Sequence, residues 1–516
     1  MMESKTKVHE LEMRQDGGGI APPRGHPLHT QVEAAHLFRQ TSNGEYAGRV
    51  LIPQPTSDPR DPLTWSPWRK HLTFASILLF VLLSNFGVSI ATPAFGAFIH
   101  SFHITPAKAS YLVTYQILLL GIGNLFWMPL SLKFGKRPIC VVASALFFAS
   151  AVWSATAQSY ASLLASRIFA GFAGSASEAI GPAVVADVYF LHERATLTGI
   201  YTFMIGAGPA LGGIFSGLII DATPNWRWIF WMVFITNGVC FLSIVLFFQE
   251  TNFIRPAGAE SGDDNSTGTV PGVVQSDYTF AKGLSLTGWH DRETSLLLYF
   301  YRPIQLLFYP TIMWAAICYG VSLGWLLFQS SANSVLFSEV YHFSPLAIGN
   351  LYISNIIGAV IGFVYSGPFC DWFVAVVTKR HSGYFQPEYR LFLMIPPLIF
   401  GPVGLLMWGL GIHHELHWSV AAVGFGVTYA ILCSVPNIGI AYVIDSYRPV
   451  AGEAMTSLTA FKNTFAFGFS FAVFPWIDRN GVAIYQTIIE VVIFLTTIPV
   501  FFFGERLRRW SSKFDV

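Results

Sequence analysis

The 516-residue chain is 53% hydrophobic and 11% charged, with a formal net charge of +1 and a mean hydropathy of +0.51. Soluble globular domains carry about 25% charged residues, so this composition excludes a soluble fold. The near-zero net charge also argues against nucleic acid or a strongly acidic partner.

Residues 1–71 open the chain as a polar tail rich in Gly, Pro and charge, without the apolar core of a cleavable signal. They read as a disordered cytoplasmic segment. Apolar blocks follow, each near the roughly 20 residues that cross a bilayer core. The first six span 72–99, 108–131, 139–157, 161–186, 196–220 and 228–248. A polar stretch, 251–307, separates them from the next six, with a surface helix expected near 295–300. The second set spans 308–330, 346–370, 391–411, 418–441, 455–476 and 482–503, before a tail at 504–516. The expected architecture is an all-α membrane protein with twelve transmembrane helices in two six-helix pseudo-repeats, 72–250 and 308–503. The five cysteines, Cys140, Cys240, Cys318, Cys370 and Cys433, lie in or beside apolar blocks without metal-ligand spacing and read as packing residues.

Lys and Arg favour the cytoplasmic loops of a membrane protein. With the N-terminus inside, the inner loops hold Lys133, Lys136, Arg137, Arg194, Lys379, Arg380, Arg390 and Arg448, and the outer loops only Lys108, Arg227 and Arg479. Both termini are therefore expected in the cytoplasm. The Asn265-Ser266-Thr267 sequon then falls inside, away from glycosylation. The loops also echo one another. Lys133-Phe134-Gly135-Lys136-Arg137 after span 2 corresponds to Gly367…Asp371 with Lys379-Arg380 after span 8. Asp187 with Glu193-Arg194 after span 4 corresponds to Asp445 with Glu453 after span 10. In repeat-built transporters the substrate site lies near the midplane between the halves.

These segments resemble the major facilitator superfamily, and within it the fungal twelve-span drug:proton antiporter branch. The resemblance runs from Asp58 to about Phe503. It is carried by the lead-in Asp58-Pro59…Trp65-Ser66-Pro67-Trp68-Arg69-Lys70, by Leu163, Arg167 and Gly171 in span 4, by Gly208-Pro209-Ala210-Leu211-Gly212-Gly213 in span 5, and by the Asp187 and Asp445 loops. It implies coupling to protons through Arg167 and a hinge at the antiporter motif Gly208, Pro209, Gly212 and Gly213. It implies gating loops at Lys133, Gly135, Lys136, Arg137, Asp187, Glu193, Arg194, Asp371, Asp445, Arg448 and Glu453. One position departs from the family: the acid usual in the loop after span 2 is Leu132, so the first-half charge relay is incomplete, whereas Asp371 keeps the acid in the second half.

Glu178, deep in span 4, is the leading proton-coupling residue, because intramembrane acids face the bundle interior and mark ion or proton paths. The bland alternative is a structural acid bonded to a neighbouring helix. Arg167 lies three turns away on the same helix face, about 16 Å along the axis; its alternative role is to hold backbone carbonyls. Cavity candidates are Asn85, Tyr115, Gln116, Gln329, Asn355 and Asn437, with Asn124, Asn333, Tyr352 and Asn463 as further polar residues in spans. Each competes with a plain helix-to-helix hydrogen bond. Lys462, near the start of span 11, is expected to snorkel to the inner interface, and Trp226 and Trp228 to belong to an interfacial belt. His413, His414 and His417 lack an acidic cage and read as a solvated loop, so no metal and no cofactor is expected. No Walker motif, nucleophile elbow or metal-binding helix points to an enzyme.

The expected function is a proton-coupled secondary transporter, monomeric and in the plasma membrane, that exports small organic molecules by alternating access. The alternative is an uptake symporter for a small organic cation or nutrient. A third reading, a transporter-shaped sensor, lacks the long cytoplasmic extension such a role needs.

Overall fold

The structure, a computed structural model, describes residues 58–223, 225–253, 280–286, 295–380, 386–447 and 451–471. The expected twelfth span, most of the N-terminal tail, Arg448, Arg479 and the Asn265 sequon lie outside them. Among the described residues the elements are helical. They run α1 (Pro67–Ser89), α2 (Phe95–Phe102), α3 (Pro106–Phe134), α4 (Lys136–Thr156), α5 (Tyr160–Val188), α6 (Leu191–Ala222) and α7 (Arg227–Phe247). Next come α8 (Leu296–Leu306), α9 (Pro310–Val340), α10 (Pro345–Val364), α11 (Cys370–Arg380), α12 (Ile395–His413), α13 (Trp418–Ser446) and α14 (Ala451–Ser470). A π-helical turn at Tyr365–Phe369, with Pro368 inside it, joins α10 to α11. Ten of these segments are long and apolar enough to cross a membrane. The shorter, more polar α14 packs among them as the expected eleventh.

Two expectations change. The first span ends at Ser89 instead of running to residue 99. Pro93 lacks an N–H and disfavours helix at Thr92, and the chain turns through Ile90–Ala94 before α2. Residues 58–71, expected in the tail, are folded: Asp61 accepts the Leu63 N–H at 3.0 Å, and Leu63 and Trp65 are buried ahead of α1.

The helix starts repeat across the two halves. Thr105 caps α3 by accepting the Lys108 N–H at 3.4 Å, with Pro106 in the first turn. Ser344 caps α10 through the Ala347 N–H at 3.3 Å, with Pro345 in the first turn. Such caps satisfy main-chain donors left over at a helix start. Close helix contacts repeat as well. A Cβ on Gly171 of α5 would lie 2.1 Å from the Gln116 carbonyl oxygen of α3, and one on Gly358 of α10 would lie 2.2 Å from that of Gly426 in α13.

The buried side chains form two cores. One is built almost wholly from α1 to α7, the other almost wholly from α8 to α14. They meet chiefly along two helix pairs, α3 with α14 and α6 with α10. Without a hydrophobic force between helices in lipid, small residues and interhelical hydrogen bonds hold such contacts. The α6 and α10 backbones touch at Gly217 and Gly349, where a Cβ on Gly217 would lie 2.7 Å from the Gly349 Cα. Near the same end Ser470 of α14 donates to Thr114 of α3 at 3.1 Å, beside the packed rings of Tyr111, Tyr115, Phe467 and Phe471.

Replacing Gly171 by Val should abolish a monodisperse folded species in size-exclusion chromatography, because the side chain has no room against Gln116. Gly96→Ala, where no atom lies within 4 Å of the added carbon, should leave the elution profile unchanged.

Candidate functional site

A cavity opens between the two cores, walled by α1, α3, α5 and α6 on one side and by α9, α13 and α14 on the other. Its apolar wall includes Val88, Val113, Ile117, Leu323, Leu326 and Leu432, and its polar wall includes Asn85, Thr202, Tyr319, Ser330, Ser331 and Asn463.

Two charged residues line it, Glu178 and Lys462, and they pair. The Lys462 Nζ lies 3.2 Å from Glu178 Oε2, with both side chains almost completely buried. Lys462 also donates to the Tyr319 hydroxyl at 3.1 Å and stands 4.3 Å from the centre of that ring. Asn463 Nδ2 reaches Glu178 Oε2 at 3.5 Å, and the Tyr201 hydroxyl donates to the Glu178 main-chain oxygen at 3.1 Å. The second carboxylate oxygen, Oε1, is buried without a hydrogen-bond partner. Lys462 therefore does not snorkel. Helix α14 starts at Ala451, four residues earlier than the sequence suggested, which carries Lys462 three turns into the bundle. Glu178 belongs to the first core and Lys462 to the second half, so their ion pair joins the halves.

Arg167 is buried but is not part of the cavity wall. Its guanidinium donates to the carbonyls of Gly87 at 2.6 Å and Val88 at 3.2 Å, at the end of α1, and to that of Leu112 in α3 at 3.3 Å. A cation at a helix C-terminus is favourable, and here it binds α1, α3 and α5 together. The rest of the polar candidates divide. Asn85 and Asn463 line the cavity. Tyr115 packs on Phe467 and Phe471 of α14. Gln329 donates to Thr428 at 3.4 Å, and Asn437 donates to Ser366 at 3.0 Å while accepting from Thr202 at 3.5 Å. Gln116 and Asn355 are buried away from the cavity wall. Trp226 is buried against Phe98 and Phe230, and does not sit in an interfacial belt as Trp228, 55% exposed, can.

The antiporter-motif glycines set the approach of α6. A Cβ on Gly208 would lie 2.6 Å from the Leu82 carbonyl oxygen, and one on Gly212 would lie 2.5 Å from that of Phe86, both in α1. Gly213 faces the other half, where the Tyr352 ring would lie 2.4 Å from an added carbon. Pro209 lines the cavity.

At the end of the bundle where α3 meets α4, Lys136 pairs with Asp187, and Thr251 donates to the same carboxylate at 2.8 Å. In the second half Arg390 spans Asp371 at 3.0 Å and Asp445 at 2.9 Å. The echo between Asp187 and Asp445 is thus an echo of contacts. Glu453 lies 3.9 Å from Arg302. Glu193 accepts the Phe190 N–H, and Arg194 donates to the carbonyls of Tyr189 and Ala186, tying α6 to the end of α5. Lys133 lies in the last turn of α3, and Gly135 takes φ +104° to turn into α4.

One buried acid at this end, Glu250, was not identified from the sequence. Glu250 follows α7, and its carboxylate accepts the main-chain N–H groups of Lys136 and Arg137, each at 3.1 Å, and of Asn252 at 3.0 Å. It therefore caps α4 from outside that helix. Burial holds this carboxyl above the ordinary range, and the main-chain donors pull it partly back. Arg137 in turn donates to the carbonyls of Val245 and Phe248 at the end of α7 and to Leu284 of the central segment. Glu250→Ala strands these donors, and each buried donor left unpaired costs about 1–3 kcal/mol. The variant should melt several degrees lower than wild type in detergent, with Glu250→Gln between the two.

The sequence matches the family model of the Major Facilitator Superfamily over residues 77–475. It is 28% identical to an uncharacterized MFS-type transporter of Schizosaccharomyces pombe, over 90% of this chain and 89% of that protein. It is 25% identical to the protein HOL1 of Saccharomyces cerevisiae, over 93% and 94%, and 27% identical to the MFS transporter cpaT of Aspergillus oryzae, over 89% and 92%. Among solved structures it resembles the human organic anion transporter MFSD10, with a TM-score of 0.55 and 14% identity over 86% of this chain and all of that one. It also resembles the proton:xylose symporter XylE, with a TM-score of 0.54 and 16% identity over 86% and 96%. With a family match across most of its length and a matching two-core helical fold around a central cavity, the chain belongs to the Major Facilitator Superfamily of membrane transporters.

Proposed function

We propose that the protein is a proton-coupled secondary transporter that exports small organic molecules across the plasma membrane, with Glu178 as its proton site and Lys462 as the counter-ion. The observation that carries this reading is the buried Glu178–Lys462 pair, which joins the two halves and forms part of the cavity wall. Two charges out of water are tolerable together, but removing one partner from a buried pair costs about 3–5 kcal/mol. Charged Glu178 thus holds α5 and α14 together. A proton on the carboxylate cancels one charge, and Lys462 then keeps the Tyr319 hydroxyl and ring. The ion pair is released without stranding the ammonium, and the halves are free to rock about the cavity.

The remaining assignments follow from this reading. The end carrying Lys133, Lys136, Arg390 and Asp445 faces the cytoplasm, and its ion pairs form and break as that side closes and opens. Arg167 is a positioning residue. By holding α1 and α3 to α5 it fixes the helix that presents Glu178. Gly208, Pro209 and Gly212 let α6 ride closely on α1 during the motion.

In proteoliposomes under a pH gradient, screened with organic cations, drugs and acids, wild type should show proton-linked flux. Glu178→Gln should lose it while retaining substrate exchange at equal pH, since exchange needs no net proton movement. Proton-driven flux surviving in Glu178→Gln would overturn the assignment. Proton-linked accumulation in the same direction as the proton would replace export by the uptake reading. Lys462→Met alone should lower the melting temperature markedly, and the double variant Glu178→Gln/Lys462→Met should recover most of that loss, because it leaves no buried charge unpaired.

A further inference from the structure

Helix α8 runs into α9 through only Leu307, Phe308 and Tyr309, and it packs equally on α3 and α14. Those two helices belong to opposite halves, so α8 lies across a seam between them. The cavity is directly behind that seam, where Ile117 and Leu120 of α3 and Lys462 and Asn463 of α14 form its wall. The ties to the second half are polar and covalent. Ser457 of α14 donates to the Pro303 carbonyl, Glu453 pairs with Arg302 at 3.9 Å, and the chain itself continues into α9. On α3 the ring of Phe126 meets that of Phe300, with centres 6.5 Å apart. Hydrogen bonds prefer one geometry, whereas apolar contact is non-directional and tolerates sliding.

The opposite face of α8 is open. Leu297 is 80% exposed, Tyr301 61% and Ile304 47%, and Phe308, just past the helix end, is 77% exposed. Their spacing makes one apolar stripe. The single charged residue of α8, Arg302, turns away from it to Glu453. An exposed apolar stripe marks a protein or a lipid contact, and two observations favour lipid. Phe126 lies eight residues before the end of α3 and Ser457 six residues after the start of α14. That is about 12 and 9 Å along those axes, so α8 lies beside the spans, not beyond their ends. Ile122 and Phe126, exposed on α3, also continue the stripe onto the outer surface of a membrane-spanning helix.

We infer that α8 is a membrane-seated strap: fastened to the second half, it sinks its open face into the lipid acyl chains of the leaflet at the charged end and covers the α3/α14 seam outside the cavity. The strap travels with α14 and slides over Phe126 when the halves move, so the seam stays covered. This inference goes beyond the proposed transport reaction and depends on no substrate or proton.

Nitroxide labels on the single variants Leu297→Cys, Tyr301→Cys and Ile304→Cys test the seat, in the full-length protein in phosphatidylcholine nanodiscs; the five native cysteines are buried. Oxygen, which concentrates among acyl chains, should relax all three labels several-fold more than a water-soluble nickel chelate does. Dominant access of the chelate would place the stripe in water. Low access of both would place it under a protein partner or a second copy of the chain. Both outcomes overturn the proposal. The fastening has its own readout, the mobility of the label at position 304. It should rise when Ser457→Ala and Glu453→Ala are combined and stay unchanged in Phe126→Ala. Unchanged mobility in the combined variant, or a larger rise in Phe126→Ala, would overturn the fastening to the second half. None of these readouts uses flux, so they stand or fall apart from the transport assignment.

Discussion

A carboxylate and an ammonium held out of water on helices from opposite halves are the constraint on which the rest of this protein turns. A charged Glu178 is not stable in its place without Lys462, so the two cores cannot separate freely while both charges persist. Everything around the pair serves that dependence. Tyr319 gives Lys462 a second partner, Tyr201 fixes the Glu178 backbone, and Arg167 secures the helix beneath it. In the proposed mechanism a single proton dissolves this contact between the halves, which links chemistry to motion with few parts.

The helices that frame the pair approach so closely because glycines face carbonyl oxygens, at Gly171 against Gln116, Gly212 against Phe86 and Gly358 against Gly426. In lipid, packing of this kind takes over the work that water exclusion does in a soluble core. The same economy appears at the charged end. Where the first half lacks an acid at position 132, a carboxylate from beyond α7 closes the start of α4, and Arg137 closes the end of α7. The two halves thus meet one requirement, satisfied helix termini between ion-paired loops, with different residues.

Much of this was legible in the sequence because hydrophobic blocks and loop charges are one-dimensional signals. Glu178 stood out as an acid inside an apolar run, and the Asp187 and Asp445 loops announced their equivalence. Lys462 was misread because its meaning depends on where the helix begins: a start at Ala451 instead of residue 455 turns an interfacial lysine into a buried one. Glu250 was harder. A glutamate just past a span looks like any solvated loop charge until the chain folds back to the start of α4. The spans are local properties, whereas the site is a set of coincidences between distant segments.

The stitches at the charged end have a practical corollary. Glu250 donates its N–H to the Gly283 carbonyl at 3.3 Å, and Arg137 reaches Leu284. The segments on either side of residues 254–279 are therefore clamped side by side on the first half. Between fixed ends, each doubling of the connecting length costs only about 0.6 kcal/mol in closure entropy. That makes residues 254–279 a natural insertion point for a fluorescent reporter or a crystallisation partner, carried by the transporter without being felt at the cavity.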